Sequence, residues 1–407
     1  MRILPMLLLL IALGPNGAAA QSRPLTQAGF TNWIDTQLWP RARAAGLSRG
    51  AFDRAMGGVR LQTELPELVV RGSDQDAQTE FRAPAAYFRP QTVAGATRGG
   101  RDMAQKHRAA LRRATQATGV PGHILLAIWG RESAYGKAAI PHDAIAVLAT
   151  KAYAGRRSGY FENELIAALQ ILANGQVTRA QMRSSWAGAL GQPQFMPSSY
   201  LAFARDADGD GHANIWSSVP DTLLSIGTYL ARHGWTRGRD WGFEVIVPKD
   251  VSCALEGPEN GRAIDQWRAM GVRRVAGKSF PKNEVRGQGF LVMPAGRYGP
   301  AFVMTSNFSV LKQYNNSDLY ALFVGHVGDR VAYGMPDFVT GWAPVVQVSR
   351  ATIRKMQANL VDQGHDVGGV DGLVGTKTRR ALGLWQRAHG LPVTCYPDAA
   401  TLAALGR

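Results

Sequence analysis

Glu132 sits in Gly130-Arg131-Glu132-Ser133-Ala134-Tyr135-Gly136, directly after an almost continuously apolar run from Ile124 to Trp129. A carboxyl at the end of a buried helix is poorly solvated, which raises its pKa and keeps it protonated near neutral pH, as a general acid requires. Arg131 works against this if the two side chains meet, and a solvated Glu–Arg surface pair is the competing reading. A second segment runs Ser185-Trp186-Ala187-Gly188-Ala189-Leu190-Gly191-Gln192-Pro193-Gln194-Phe195-Met196-Pro197-Ser198-Ser199-Tyr200. Its small residues let the backbone approach a ligand closely. Its amides, hydroxyls and rings are the usual means of holding sugars, although a tight structural loop uses the same residues. A third, Asp206-Ala207-Asp208-Gly209-Asp210-Gly211-His212-Ala213-Asn214, has oxygen ligands at positions 1, 3 and 5 and Gly at 6, the first half of an EF-hand calcium loop. Position 12 is Ser217 rather than Glu, and His212 would offer its backbone carbonyl. An Asp/Gly-rich turn without an ion is the alternative.

The elements that must position these residues are mostly helical. Residues 21–100 read as helices with polar connections, with Gly95 to Gly100 loop-like. Met103 to Ala117 reads as a basic helix closed by Thr118-Gly119-Val120-Pro121, and the apolar helix leading to Glu132 follows. Residues 160–173 and 220–232 have amphipathic helical spacing. After residue 242 the texture changes: Phe243 to Val247 and Gly289 to Met293 are short β-like runs bounded by Pro and Gly. Residues 302–324 return to helix-compatible patterning, and Gly334 to Pro344 reads as a linker. Residues 349–406 have their own apolar periodicity.

The chain carries 46 Lys+Arg against 30 Asp+Glu, a formal +16, with an apolar fraction of 45%. That composition supports a sizeable core and excludes wholesale disorder. Two cysteines exclude a disulfide-built scaffold and a Cys₄ or Cys₃His zinc site. Cys253 and Cys395 lie far apart, so they are read either as a clasp between domains or as two buried thiols. Residues 1–20 have the three parts of a secretory signal peptide: Arg2, an apolar stretch from Leu4 to Leu13, and Ala18-Ala19-Ala20. The apolar stretch is too short to span a bilayer, and no Cys follows it for lipid attachment. An exported, periplasmic protein meets wall polymers rather than nucleic acid, so the positive charge is read against an anionic wall or as an Arg-rich composition, 37 Arg to nine Lys.

The first two segments closely resemble the membrane-bound lytic murein transglycosylase B family, a lysozyme-like group. Gly130 to Gly136 matches its G-x-E-[ST]-x-x-G element, and Ser185 to Tyr200 its second element, with a departure at Gln192-Pro193. Tyr153 to Phe161, and Tyr314-Asn315-Asn316-Ser317 with Tyr320, agree as well. The resemblance implies that Glu132 is the sole catalytic acid/base and that Ser185 and Gln194 orient the muramoyl residue. It places Tyr314, Asn315 and Tyr320 across the cleft, and Arg156, Arg157 and Tyr160 on glycan or stem peptide. The implied substrate is the peptidoglycan glycan strand, cut between N-acetylmuramic acid and N-acetylglucosamine to leave a 1,6-anhydro end. No cofactor is required for catalysis, and a structural calcium would take Asp206, Asp208, Asp210, His212 and, closing a longer loop as in family members, Asp221. Residues 349–406 resemble a three-helix peptidoglycan-binding module through Met356 to Leu360, Gly369 to Gly375, Trp385-Gln386 and Gly390-Leu391-Pro392. The expected fold is therefore mainly α: a lysozyme-like α+β catalytic domain with a small β-containing part at 21–340, a linker at 341–348 and the module at 349–407. The rival functions are a wall-binding scaffold with little activity and a lysozyme-type hydrolase.

Overall fold

Capping side chains and apolar spacing set most helix boundaries in this chain. The computed structural model describes residues 25–65, 68, 83–155 and 157–406. The expected signal peptide and Arg156 lie outside the described residues. Helices α1 (Gln27–Trp33), α2 (Trp39–Ala44) and α3 (Arg49–Met56) come first. They are followed by α4 (Pro90–Lys106), α5 (Arg108–Thr118) and α6 (Gly122–Ser133). Gly119 closes α5 at φ 77° and Pro121 opens α6, as the Thr118 to Pro121 stretch implied. Next are α7 (Ala144–Ala154), α8 (Ser158–Ala173), α9 (Pro197–Phe203) and α10 (Val219–Arg232).

Two apolar cores share this helical body. One gathers Trp129, Leu223, Ile226, Phe308 and Phe323. The other gathers Phe30, Trp33, Ile145, Leu165 and Phe195. Tyr229 and Tyr314 pack against both, so the seam between the cores runs beside them.

The loop expected at Gly95 to Gly100 is instead interior to α4. A Cβ on Gly99 would fall 2.5 Å from the Tyr135 ring, and one on Gly100 would fall 2.5 Å from Val331. These glycines thus serve close packing, which local propensity does not register. The basic helix expected from Met103 is two helices, broken at His107.

A five-stranded antiparallel sheet forms the β-containing part, in the order Arg262–Ala263, Gln288–Val292, Ala301–Met304, Gly242–Ile246, Arg273–Arg274. Its strands are β3 (Gly242–Ile246), β4 (Arg262–Ala263), β5 (Arg273–Arg274), β6 (Gln288–Val292) and β7 (Ala301–Met304). A separate two-stranded pair, β1 (His142–Asp143) with β2 (Arg183–Ser184), ties the ends of two loops. Strands β3 and β6 fall where the sequence placed them. Strand β7 opens the stretch read as helix-compatible, because all four of its residues are buried and no alternation marks it. Helices α11 (Ile264–Ala269), α12 (Ser306–Tyr314) and α13 (Asp318–Tyr333) complete this region.

The C-terminal helices α14 (Arg350–Asp362), α15 (Thr376–Ala388) and α16 (Ala399–Leu405) close around Met356, Leu360, Leu382 and Trp385. The fully buried Gln357 accepts from the Gly372 amide and donates to Leu373 O and Thr378 Oγ1. Cys253 and Cys395 are joined in a disulfide across 142 residues, with Cα atoms 6.1 Å apart. This resolves the two open readings in favour of the clasp, and it fastens the module to the sheet region. Replacing both cysteines by serine is expected to lower stability in urea unfolding by about 2–4 kcal/mol. An unchanged midpoint would mean that the noncovalent interface alone sets the stability.

Candidate active site

Glu132 projects from the last turn of α6, whose end is held from several sides. Ala134, Tyr135 and Gly136 are three successive left-handed residues, at φ 50°, 61° and 78°. Two of them carry side chains, a conformation that persists only where surrounding contacts impose it. Ser133 Oγ donates to Trp129 O and accepts from the Gly136 amide. Tyr135 Oη donates to Ala96 O at 2.6 Å, while its ring meets Trp129 edge-on at 5.4 Å. A Cβ on Gly130 would lie 2.4 Å from the Tyr135 ring, which explains the first glycine of the motif.

Arg131 does not pair with Glu132. Its guanidinium donates to Tyr87 Oη at 2.7 Å and lies over the Tyr87 and Phe323 rings at 4.7 and 5.4 Å. The surface-pair reading therefore fails: the cation is turned onto aromatic faces and leaves the carboxyl in its niche. Glu132 Oε1 accepts from Tyr320 Oη at 2.5 Å. Burial pushes the Glu132 carboxyl up to about 7, with the Tyr320 hydrogen bond and the Arg131 charge opposing it. A value there keeps the acid form available near neutrality, and the carboxylate left after proton donation can then serve as base.

Tyr314 stacks parallel to Tyr320, with centroids 6.5 Å apart and planes 9° apart, and its hydroxyl donates to Pro193 O at 2.6 Å. Burial raises both phenols well above their ordinary range, so Tyr320 stays a donor to Glu132. Gln194 adopts φ 54° and donates to Gly191 O. With Tyr160, Glu164, Tyr229 and Tyr314 it lines a cavity of about 290 Å³. Ser185 sits in a tight turn, where its Oγ accepts from the Ala189 amide at 3.3 Å. Arg157 lies over the Tyr160 and Phe161 rings at 5.0 and 5.4 Å. Asn315 accepts from the Ser317 amide and faces a larger cavity, of about 820 Å³, between the helical body and the C-terminal module. Among the described residues, no hydrogen bond joins Ser185 or Asn315 to Glu132.

Gln192 was read only as a departure in the loop, yet it is a structural tie. Its Oε1 accepts from Trp129 Nε1 at 2.8 Å and its Nε2 donates to Trp216 O at 3.1 Å, locking α6 to the 184–218 loop. Lys151, which no motif marks, is a second such residue. Its ammonium is buried between the Phe161 and Trp186 rings, at 4.7 and 5.3 Å. A lysine in an otherwise apolar helical run was the available signal.

In the Asp/Gly loop, one carboxylate oxygen each of Asp206, Asp208 and Asp210 lies within 4.8 Å of the others, all exposed. Such a donor set fits a hard, oxygen-liganded cation. Asp221 and His212 stand outside that group. Asp221 is fully buried and accepts from the Ala207 and Asn214 amides at 2.8 Å each, and the His212 amide donates to Asp210. Asp221 thus holds the backbone of the loop through the Ala207 and Asn214 amides.

Residues 29–329 match the transglycosylase SLT domain, about three quarters of the chain. The chain belongs to this family. Residues 349–405 match the putative peptidoglycan binding domain. Membrane-bound lytic murein transglycosylase B of Escherichia coli (strain K12) is 32% identical over 224 residues, 55% of this chain and 60% of that protein. SltB3 from Pseudomonas aeruginosa, solved in complex with NAG-anhNAM-pentapeptide, is 35% identical at a TM-score of 0.84, with 93% of this chain and 99% of that one covered. Slt35 of Escherichia coli, solved in complex with calcium, is 26% identical at a TM-score of 0.60, with coverages of 77% and 94%. The SLT transglycosylase fold is therefore lysozyme-like and mainly helical with small sheets, followed by the helical C-terminal module. Among the described residues no helix is long and apolar enough to cross a membrane.

Tyr320→Phe removes the donor that lowers the Glu132 pKa. The basic limb of the activity–pH profile is expected to move to higher pH, because the acid form persists further up. The rate should fall by up to about tenfold, from the loss of one hydrogen bond. A pH–rate series on both proteins checks this, and an unmoved basic limb would contradict it.

Proposed function

We propose that the chain is an exported lytic transglycosylase that cleaves the β-1,4 bond between N-acetylmuramic acid and N-acetylglucosamine in peptidoglycan, in the periplasm. The observation that carries the reading is Glu132, a half-buried carboxyl that desolvation raises to about 7 against the opposing pull of Tyr320 and Arg131, with no acidic side chain among the groups that shift it. Most glycosidases need two carboxyl groups, and that requirement lapses when the substrate supplies the nucleophile or the stabilising group. Protonated Glu132 gives its proton to the glycosidic oxygen as the bond from C1 breaks. The resulting carboxylate then takes the proton of the muramoyl C6 hydroxyl as that oxygen bonds to C1, closing the 1,6-anhydro ring. Water is not consumed. SltB3 has been solved with a NAG-anhNAM-pentapeptide, a ligand of this product type.

In this reading Ser185, Gln194, Tyr314 and Asn315 orient sugar, and Tyr320 holds the acid. Arg156, Arg157 and Tyr160 take glycan or stem peptide further along the cleft. The domain limits are proposed at 21–340, 341–348 and 349–407, with residues 1–20 removed on export. Asp206, Asp208 and Asp210, with the His212 carbonyl and Asp221 closing a longer loop, would hold a calcium ion, which would brace the loop after the sugar-binding segment and supply no step of the reaction.

Incubation with purified sacculi, followed by mass analysis of the released muropeptides, tests the reaction. Anhydro ends are expected; reducing ends would assign a hydrolase, and no release would assign a binder. Glu132→Gln is expected to lower release by about 10²–10⁴-fold. Calcium is expected to raise the melting temperature by about 2–5 °C in scanning calorimetry. Asp208→Asn should abolish that gain without abolishing cleavage.

A further inference from the structure

The hairpin that carries Tyr314 and Tyr320 is held from outside the helical body. Asp318, the first residue of α13, receives Lys312 Nζ from α12 at 2.7 Å and Arg379 Nη2 from α15 of the module at 3.2 Å. Thr376 Oγ1, also from the module, donates to the same carboxylate at 2.9 Å. Arg379 reaches back to Glu256 at 2.7 Å, and Glu256 also accepts from the Met293 amide at 2.8 Å. The remaining Arg379 hydrogen bonds go to Val374 O and Thr376 Oγ1. Side-chain exposure is 3% for Arg379, 0% for Glu256 and 11% for Asp318, so this cluster lies out of water. Its charges balance, two carboxylates against Arg379 and Lys312. A buried charge stripped of its partner is strongly unfavourable, so the seating of one member fixes the others.

Asp318 lies two residues before Tyr320 in the same capped turn, where Ser317 Oγ accepts from the Tyr320 amide. Wherever Arg379 holds Asp318, it also sets the position of the Tyr320 hydroxyl. Lys312 ties the preceding helix to the same carboxylate two residues before Tyr314. Both stacked tyrosines thus depend on one anchor, and that anchor belongs half to the C-terminal module.

We propose that Arg379 is a positioning residue for cleavage: by pinning Asp318 it fixes the α12–α13 hairpin so that Tyr320 donates to Glu132. The module therefore completes the active site in addition to any part it plays in binding wall polymer. The inference rests on the assignment of Glu132 as acid/base. The charged and titratable groups facing Glu132 are Arg131, Tyr314 and Tyr320; those facing Asp318 are Lys312 and Arg379, with Glu256 behind the latter.

The test uses the full chain with its disulfide intact and soluble glycan oligomers as substrate. Glu256→Gln combined with Arg379→Met removes one buried charge of each sign and leaves Lys312–Asp318 balanced. Release of the hairpin is expected to lower kcat by about 10–100-fold, the scale of an ångström-sized misplacement, with KM changed far less. The basic limb should move to higher pH, in the same direction as in Tyr320→Phe. Arg379→Lys keeps the cation but not the fork that joins two carboxylates, so it should show the same changes to a smaller extent. Arg380→Gln, which breaks the more exposed pair with Glu259, should leave kcat and the profile unchanged. A folded double variant or Arg379→Lys protein with wild-type kcat and an unmoved basic limb, or with KM alone raised, would overturn the proposal. If the double variant does not fold, Arg379→Lys alone decides. Activity surviving in Glu132→Gln would instead sink the assignment of the catalytic acid, a separate failure.

Discussion

A carboxyl stays protonated at neutral pH only while it is kept from water and no full positive charge is allowed to settle on it. Glu132 meets both conditions through its neighbours. Arg131, the adjacent cation, is drawn onto the Tyr87 and Phe323 rings and bonded to a phenol. What touches the carboxyl is a neutral donor, Tyr320, which orients one oxygen without supplying a charge. The left-handed stretch after α6, the Tyr135 ring against Trp129 and the Gln192 bridge all hold the backbone at which that balance is struck. The two cores of the helical body meet through Tyr229 and Tyr314, so the niche is walled by residues that also join the halves of the fold.

Much of this was legible in the residues, and what was not has definable causes. The acid could be picked out because an apolar helix ends on it, and most helices because their spacing and caps agree with their packing. Strand β7 was missed because complete burial erases alternation, and the interior of α4 because its glycines answer to Tyr135 and Val331 rather than to local propensity. The direction taken by Arg131 depends on Tyr87, 44 residues away in sequence. The pairing of Cys253 with Cys395 and the meeting of Arg379 with Asp318 are facts of tertiary geometry, which no local pattern encodes.

The arginine excess also gains a partly internal explanation. Arg239 pairs with Glu284, Arg179 joins Asp143 to Ala55 O, and Arg297 donates to carbonyls at Val247 and Val251. Each uses the planar, multiply donating guanidinium to gather acceptors from separate segments, which a lysine does less well. The pairs with Glu284 and Asp143 cancel in the net charge, so these arginines explain part of the Arg content, while the +16 itself rests on arginines without a carboxylate partner, such as Arg297.

The bridge between Cys253 and Cys395 has a bearing on timing. A disulfide persists only in an oxidising compartment, and the two cysteines are separated by 142 residues. In the exported chain proposed above, the ring they make cannot close until the second of them has left the reducing side of the membrane. Glu256 lies one short turn from Cys253, so closing the ring and seating Arg379 occur at the same place. For the exported chain proposed above, the final shape is therefore locked late, once both cysteines have reached an oxidising compartment.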